Sequence, residues 1–321
     1  MSAAGEGAAV ASLGELLVEF VCTEKDGHNR RATAYVGPFP SGAPGIFIDQ
    51  AARVGARAIF AGAVGSDAFG TVLTDRLGAV GVSDALIRVV DGVPTGSAFV
   101  AYNSDGSRDF VFNIAHSAAA RLPGAGEAIA AFIAHGTGVF HISGSSLGDA
   151  AMRETALAVA RGLAEAGVAI SFDPNIRKEL LGDPGYFAAV AALTALSTYV
   201  LPSEEDAAVL FPGEAFEAYA DRLIAAGAES VVLKRGAAGC LGRDRAGATV
   251  ERPAHRVEVV DPTGAGDCFC ATYVGLRTLG LPFAASVARA NAAGALAVGR
   301  LGPMEGNSDR PALERLLEPG S

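Results

Sequence analysis

The 321-residue chain has no tryptophan and few lysines or cysteines, and these scarcities exclude several kinds of chemistry. Its lysines are Lys25, Lys178 and Lys234, and none follows a glycine. A Walker-type phosphate loop needs Gly-Lys-Ser/Thr, so P-loop nucleotide chemistry is excluded. The Gly-x-Gly pairs at 5–7, 124–126, 136–138 and 264–266 end their six-residue windows on Val10, Ile129, His141 and Phe269 instead of glycine. A dinucleotide-binding turn therefore finds no match. No run of basic residues stands out and the formal net charge is −10, which argues against a nucleic-acid partner. Cys22, Cys240, Cys268 and Cys270 form no paired knuckles, and the scattered histidines give no His-x-x-x-His pair, so a structural zinc site is not expected. Free thiols are the default in a reducing compartment.

Long apolar runs are missing as well. The longest, Ala188 to Leu201, is interrupted by Thr194, Ser197 and Thr198 and is too short to span a bilayer. The first residues, MSAAGEGAAVAS, have neither the basic start nor the apolar centre of a secretion signal. The expectation is a cytoplasmic protein with no membrane association.

What the chain does contain is alternation. From about residue 127, amphipathic helices at Glu127–His135, Asp149–Ala166, Pro184–Leu196 and Phe216–Ala226 alternate with short apolar strands. Those strands are Gly138–Ile142, Val168–Asp173, Thr198–Leu201 and Ser230–Lys234. This is the pattern of βαβ units around a parallel sheet. Two long helices over 265–280 and 282–299 close the fold, with Pro282 at the start of the second. In the first third, Ala8–Phe20 and Ala58–Gly62 fit the same sheet, with a helix over 46–55. Thr95–Asn103 and Arg108–Ile114 read as two strands joined by the turn Ser104-Asp105-Gly106-Ser107. Residues 23–36 are polar and β-like. The whole chain, 1–321, reads as one α/β domain carrying a small β lid from segments near 21–40 and 94–116.

Two motifs compete for the chemistry. Gly144-Ser145-Ser146-Leu147-Gly148 has the Gly-x-Ser-x-Gly form of a hydrolase nucleophile turn between a strand and a helix. No oxyanion sequence precedes it, and a capped strand-to-helix turn explains it as well. Asp261-Pro262-Thr263-Gly264-Ala265-Gly266-Asp267-Cys268-Phe269 follows a strand-like Arg256–Val260 and opens a helix. The first N–H groups of a helix lack intrahelical acceptors, and small residues let an anion approach them. Asp267 in the first turn would only soften the helix dipole if it faced away from that anion. Facing it, the carboxylate could take a proton from an attacking hydroxyl while the loop stabilised a transferring phosphoryl group.

This segment resembles the C-terminal signature of the ribokinase-like (PfkB) sugar kinases, and other motifs follow in the family's order. Gly14-Glu15 with Glu19 is similar to a first-strand element that touches sugar hydroxyls. Ser41-Gly42-Ala43-Pro44-Gly45 with Ala51-Ala52-Arg53-Val54-Gly55, then Gly62 to Gly70, resemble the next two. Asp173-Pro174-Asn175-Ile176-Arg177, Lys234-Arg235-Gly236-Ala237-Ala238-Gly239 and Asn291-Ala292-Ala293-Gly294-Ala295 resemble the last three.

The resemblance implies a three-layer αβα sandwich with a mostly parallel central sheet and a β lid. It implies an ATP-dependent sugar kinase in which Asp267 is the base and Gly264, Ala265 and Gly266 hold the phosphoryl group. Sugar contacts would come from Glu19, Gly42, Ala43, Arg108, Asn113, Arg177 and Asp267. ATP would lie over Ser203, Lys234, Gly236, Gly239 and Asn291. Mg²⁺ would be organised near Asp206, and a monovalent cation such as K⁺ near Asp261 and Thr263. A homodimer formed through the lid is the implied assembly.

Departures from the family pattern are Ile46 in place of an asparagine, Asp206 in place of a glutamate, and Glu19 in place of an aspartate. The run from Pro40 to Gln50, with Gly106–Asn113 and His116-Ser117-Ala118, is similar to bacterial tagatose kinases; fructokinases and 2-keto-3-deoxygluconate kinases are close relatives of these. A non-catalytic sugar or nucleotide sensor on the same fold is the alternative of a different class.

Overall fold

The computed structural model describes residues 7–105 and 107–318. Gly106 of the expected turn and Gly5 of the first Gly-x-Gly pair lie outside them. The strands among the described residues are β1 (Ala9–Leu13), β2 (Leu17–Cys22), β3 (Tyr35–Ser41), β4 (Arg57–Gly65), β5 (Ser83–Val90), β6 (Gly96–Tyr102), β7 (Arg108–Asn113), β8 (Thr137–Ser143), β9 (Ala169–Asp173), β10 (Tyr199–Val200), β11 (Ser230–Lys234), β12 (Cys240–Asp244) and β13 (Thr249–Arg252). The helices are α1 (Ala43–Arg53), α2 (Ala68–Ala79), α3 (Ala125–Ala134), α4 (Ala150–Glu165), α5 (Pro184–Leu196), α6 (Glu204–Leu210), α7 (Phe216–Ala226), α8 (Ala265–Thr278), α9 (Phe283–Ala297) and α10 (Arg310–Leu317).

A large sheet runs in the order β13-β12-β11-β10-β9-β8-β1-β4-β5. It is parallel from β11 to β5 and antiparallel at the β11-β12-β13 edge. β1 at its centre reads Ala-Val-Ala-Ser-Leu and is buried throughout, as expected of a strand covered on both faces. One core joins Phe47 of α1, Tyr273 of α8, Val287 of α9 and Leu313 of α10 on one face. A second joins Phe132 of α3, Val159 and Leu163 of α4, and Tyr186 and Leu193 of α5 on the other. Aspartates cap the loop-to-helix turns: Asp67 accepts from Gly70 N, Asp149 from Met152 N and Asp183 from Gly185 N.

A second, four-stranded sheet has the order β3-β2-β6-β7 and stands beside the carboxyl ends of the large one. Here the structure departs from the sequence expectation. Ala8–Phe20 is two strands in two sheets. At Gly14 the backbone takes φ +153°, and an added Cβ would lie 2.6 Å from Pro44 Cγ and against Ser146 Oγ. Only glycine turns the chain there, from β1 in the large sheet to β2 in the small one. Residues 23–34 are loop, with Asp26, His28 and Asn29 at positive φ, and the strand begins at Tyr35. Arg256–Val260 is not a strand: Val259 is 63% exposed, and Val260 N bonds to Val298 O without continuing a ladder. The β6–β7 pair is the expected hairpin, closed by Asn103 N donating to Ser107 O at 2.9 Å.

Candidate active site

A cavity of about 1340 Å³ opens between the small sheet and the carboxyl ends of the large one. Helix α8 points its N-terminus into it. Gly264 caps that helix in the left-handed region at φ +83°, where a Cβ would come 2.5 Å from Pro303 O. The first intrahelical bond runs from Cys268 N to Gly264 O, so the N–H groups of Ala265, Gly266 and Asp267 have no acceptor within the helix. Gly264, Ala265, Gly266 and Asp267 all line the cavity. Asp267 is only 8% exposed. Burial pushes its carboxyl up to about 8, and the nearby Asp173 adds to the rise while Lys234 and Arg177 oppose it. A carboxyl of this kind can serve as a proton acceptor near neutral pH.

Along the cavity from Asp267, β2 contributes Glu19. Its Oε2 accepts from Ser41 Oγ at 3.2 Å, and its buried Oε1 has no partner among the described residues. Burial, then the charge of Asp261, pushes Glu19 up to about 7. An orphaned acceptor facing a cavity is the expected signature of a ligand with hydroxyl donors. Gly42, Ala43 and Ile46 at the start of α1 line the same region. Glu15, just past Gly14, presents a carboxylate held by the Ser145 hydroxyl at 2.8 Å and by the Ser146 hydroxyl.

That last contact decides the hydrolase reading. Ser146 is buried and donates to a carboxylate. His141 pairs with Ser171 through Nδ1 at 2.9 Å and stacks on Phe47. The Gly-x-Ser-x-Gly segment is therefore a short 3-10 turn whose serines orient Glu15.

At the other end, Ser203 caps α6 and Asn291 donates from Nδ2 to Pro253 O at 2.8 Å. Gly236 to Gly239 form a tight turn beside them, and all of these residues line the cavity.

Comparison with known proteins gives this geometry a family. Residues 8–310 match the pfkB family carbohydrate kinases. The chain belongs to that family. Fructokinase-1 of Oryza sativa subsp. japonica is 31% identical over 281 residues, covering 83% of this chain and 82% of the relative. The fructokinase of Klebsiella pneumoniae is 32% identical over 286 residues, covering 87% and 92%. A crystal structure from E. coli, of a protein described as ribokinase II in complex with ATP and Mg²⁺, superposes with a TM-score of 0.89 at 37% identity, covering 97% and 99% of the two chains. The ribokinase-like αβα fold is thereby established.

Within this pfkB kinase several expected contacts need correction. Asn113 does not face the cavity. Along β7, Arg108, Phe110 and Phe112 line it, while Asn113 donates to Ser97 Oγ at 3.2 Å on the opposite face, as strand alternation requires. Lys234 lines the cavity, and its ammonium runs inward to Asp173. Asp206 accepts from Ile176 N, Ser203 N and Ser203 Oγ, each at 2.8 Å, so its carboxylate fastens two cavity loops instead of standing free for a metal. Asp261 is fully buried. Its Oδ1 accepts from Thr263 N at 2.9 Å and from the Tyr102 hydroxyl, and its Oδ2 accepts from Gly302 N at 3.0 Å.

Arg108 does reach the motif, donating from Nη1 to Thr263 Oγ1 at 3.3 Å. Arg177 lines the cavity, and its guanidinium has no carboxylate partner among the described residues. No cluster of three or more His, Cys, Asp or Glu among the described residues is arranged to hold a metal. A monovalent ion at Asp261 would find one under-used lone pair, at Oδ2.

Sequence reasoning placed Glu15 and Asp173 inside family-like motifs without giving either a role of its own, and it missed Tyr102. The DPN step after β9 marked Asp173. Nothing local marked Tyr102, because its partner Asp261 lies 159 residues away.

Proposed function

We propose that this ATP-dependent carbohydrate kinase transfers the terminal phosphoryl group of ATP to a primary hydroxyl of a hexose. The observation that carries the reading is the buried Asp267 carboxyl beside the unsatisfied N–H groups opening α8. Asp267 accepts the hydroxyl proton, and the N–H groups of Ala265, Gly266 and Asp267 stabilise charge on the transferring group. Glu19, with Gly42 and Ala43, holds sugar hydroxyls, and Arg108 closes over them from the small sheet, which acts as the lid of a single kinase domain. Ser203, the 236–239 turn and Asn291 flank the nucleotide. Mg²⁺ arrives with the phosphates and offsets their charge; the lone pair at Asp261, with Thr263, is the place for a monovalent ion.

The acceptor is a ketohexose. Tagatose, going to its 6-phosphate, is favoured by the Pro40–Gln50 resemblance, and fructose by the relatives described as fructokinases. 2-Keto-3-deoxygluconate is the further alternative. The four unpaired, buried cysteines support a reducing, cytoplasmic setting. Pairing of two copies through the small sheet is supported by the exposed Val111 on the face of its edge strand turned away from the cavity, and sedimentation reads it directly.

The test is ADP release from Mg·ATP across tagatose, fructose, ribose, nucleosides and 2-keto-3-deoxygluconate. A single strong ketohexose signal is expected. Sugar binding without ADP release would instead make the protein a sensor.

A further inference from the structure

Lys234 ends β11 with its side chain only 12% exposed, and its Nζ donates to Asp173 Oδ2 at the end of β9, where the Asp173 side chain is 3% exposed. Nζ also lies 3.3 Å from Cys270 Sγ on α8, and a Cβ on Gly266 would come within 3.7 Å of it. The ammonium thus lies directly beneath the first turn of α8, close to the carboxylates of both Asp173 and Asp267. A buried ion pair is a poor device for stability, since apolar side chains of the same volume do as well or better. Its placement under the anion-binding turn calls for another explanation.

We propose that Lys234 is a positioning residue for phosphoryl transfer: pinned by Asp173 beneath Gly266, its ammonium is the counter-charge that lets Asp267 shed its proton and stand ready as base. The inference rests on the reading of Asp267 as that base. Every charged group facing Asp267 enters the balance. Burial disfavours the carboxylate; Asp173 from β9 and Glu15 from the turn after β1 oppose its charge; Lys234 from β11 and Arg177 from the loop after β9 favour it. Burial would also strip the proton from Lys234, but the carboxylates of Asp173 and Asp206 outweigh that and hold the ammonium charged. Cys268 and Cys270, on α8 itself, are pushed up by burial and stay neutral thiols. Lys234 is therefore the permanent positive charge packed directly under the turn.

The consequence is a pair of opposite shifts. Lys234→Met leaves Asp173 unpaired next to Asp267, so the acid limb of kcat/KM against pH moves up by about one to three pH units. At pH 7 that is a loss of about tenfold or more, recovered as the pH is raised. Asp173→Asn leaves the ammonium and removes a like charge, so the limb moves down. The double variant falls between the two. If Lys234→Met does not fold, Asp173→Asn and the double variant still carry the comparison. Limbs that stay at the wild-type pH in both single variants, or move the same way in both, overturn the proposal. Asp267→Asn separates the two layers: full turnover in that variant removes the base itself, whereas its loss together with unshifted limbs leaves the base standing and removes only the role of Lys234.

Discussion

Asp267 illustrates the tension between stability and chemistry in a single side chain. Its carboxyl is raised from 3.8 to about 8 in the folded protein, mainly by burial. Between those values the unfolded chain has lost the proton and the folded one still holds it, so folding weakens as pH rises through the window. Asp267→Asn should therefore lower kcat by roughly 10²–10⁴ and at the same time raise the melting temperature. The gain in melting temperature should be absent near pH 4 and grow towards pH 8, and a pH series of thermal melts checks it.

Glu19 behaves in the same sense, raised to about 7 by burial and then by Asp261. As an ionised acceptor for sugar hydroxyls it should hold sugar best above that pH, so sugar KM should rise as pH falls below 7. Glu19→Gln should raise sugar KM, leave ATP KM unchanged and flatten that dependence; steady-state kinetics at pH 6 and pH 8 decide it. Both acids were singled out from the sequence, because each sits at a fixed place in a motif. Asn113 was misread because its motif neighbour Arg108 is an odd number of residues away on a strand, which turns the two side chains to opposite faces.

Helix α8 shows what an element needs in order to start where it does. Gly264 at φ +83° lets the chain turn from the Asp261–Thr263 loop into the helix with its N–H groups open to the cavity. Gly264→Ala strains the backbone and drives a methyl toward Pro303 O. The expected result is a kcat loss of about tenfold or more, for a misplaced anion site, with the far-ultraviolet circular dichroism unchanged. A variant with normal turnover would show that the turn tolerates the side chain. Elements on the carboxyl-terminal side were readable because 3.6-residue and short apolar periods alternate there without ambiguity. β1 and β2 were not separable by pattern, since Ala8–Phe20 is apolar on both sides of Gly14 and the break lies in a backbone angle that leaves no trace in composition. β13 escaped notice for the opposite reason: its edge position leaves Thr249, Glu251 and Arg252 exposed, so it carries little apolar signal.

At the scale of the whole molecule, the large sheet brings Glu15, Asp173 and Lys234, from just past β1 and from the ends of β9 and β11, to one edge, where the open N–H groups of α8 meet them. Strand count and helix alternation announced the parallel sheet, but which segments crossed into the second sheet depended on long-range pairing, such as Leu17–Val21 with Gly96–Val100. Through Tyr102 and Arg108 the small sheet reaches Asp261 and Thr263, so the two sheets meet at the motif itself. Tyr102→Phe removes the hydroxyl that links them. It should raise sugar KM several-fold, because the small sheet then docks less firmly; an unchanged KM would mean that Arg108 alone suffices.

The most direct single measurement is ketohexose-dependent ADP release from Mg·ATP by the native protein and by Asp267→Asn side by side. One sugar should drive rapid release in the native protein, and the variant should lose roughly two to four orders of magnitude while remaining folded. Release that no sugar stimulates, or that the variant sustains at the native rate, would contradict the assignment of Asp267 as the base of a hexose kinase.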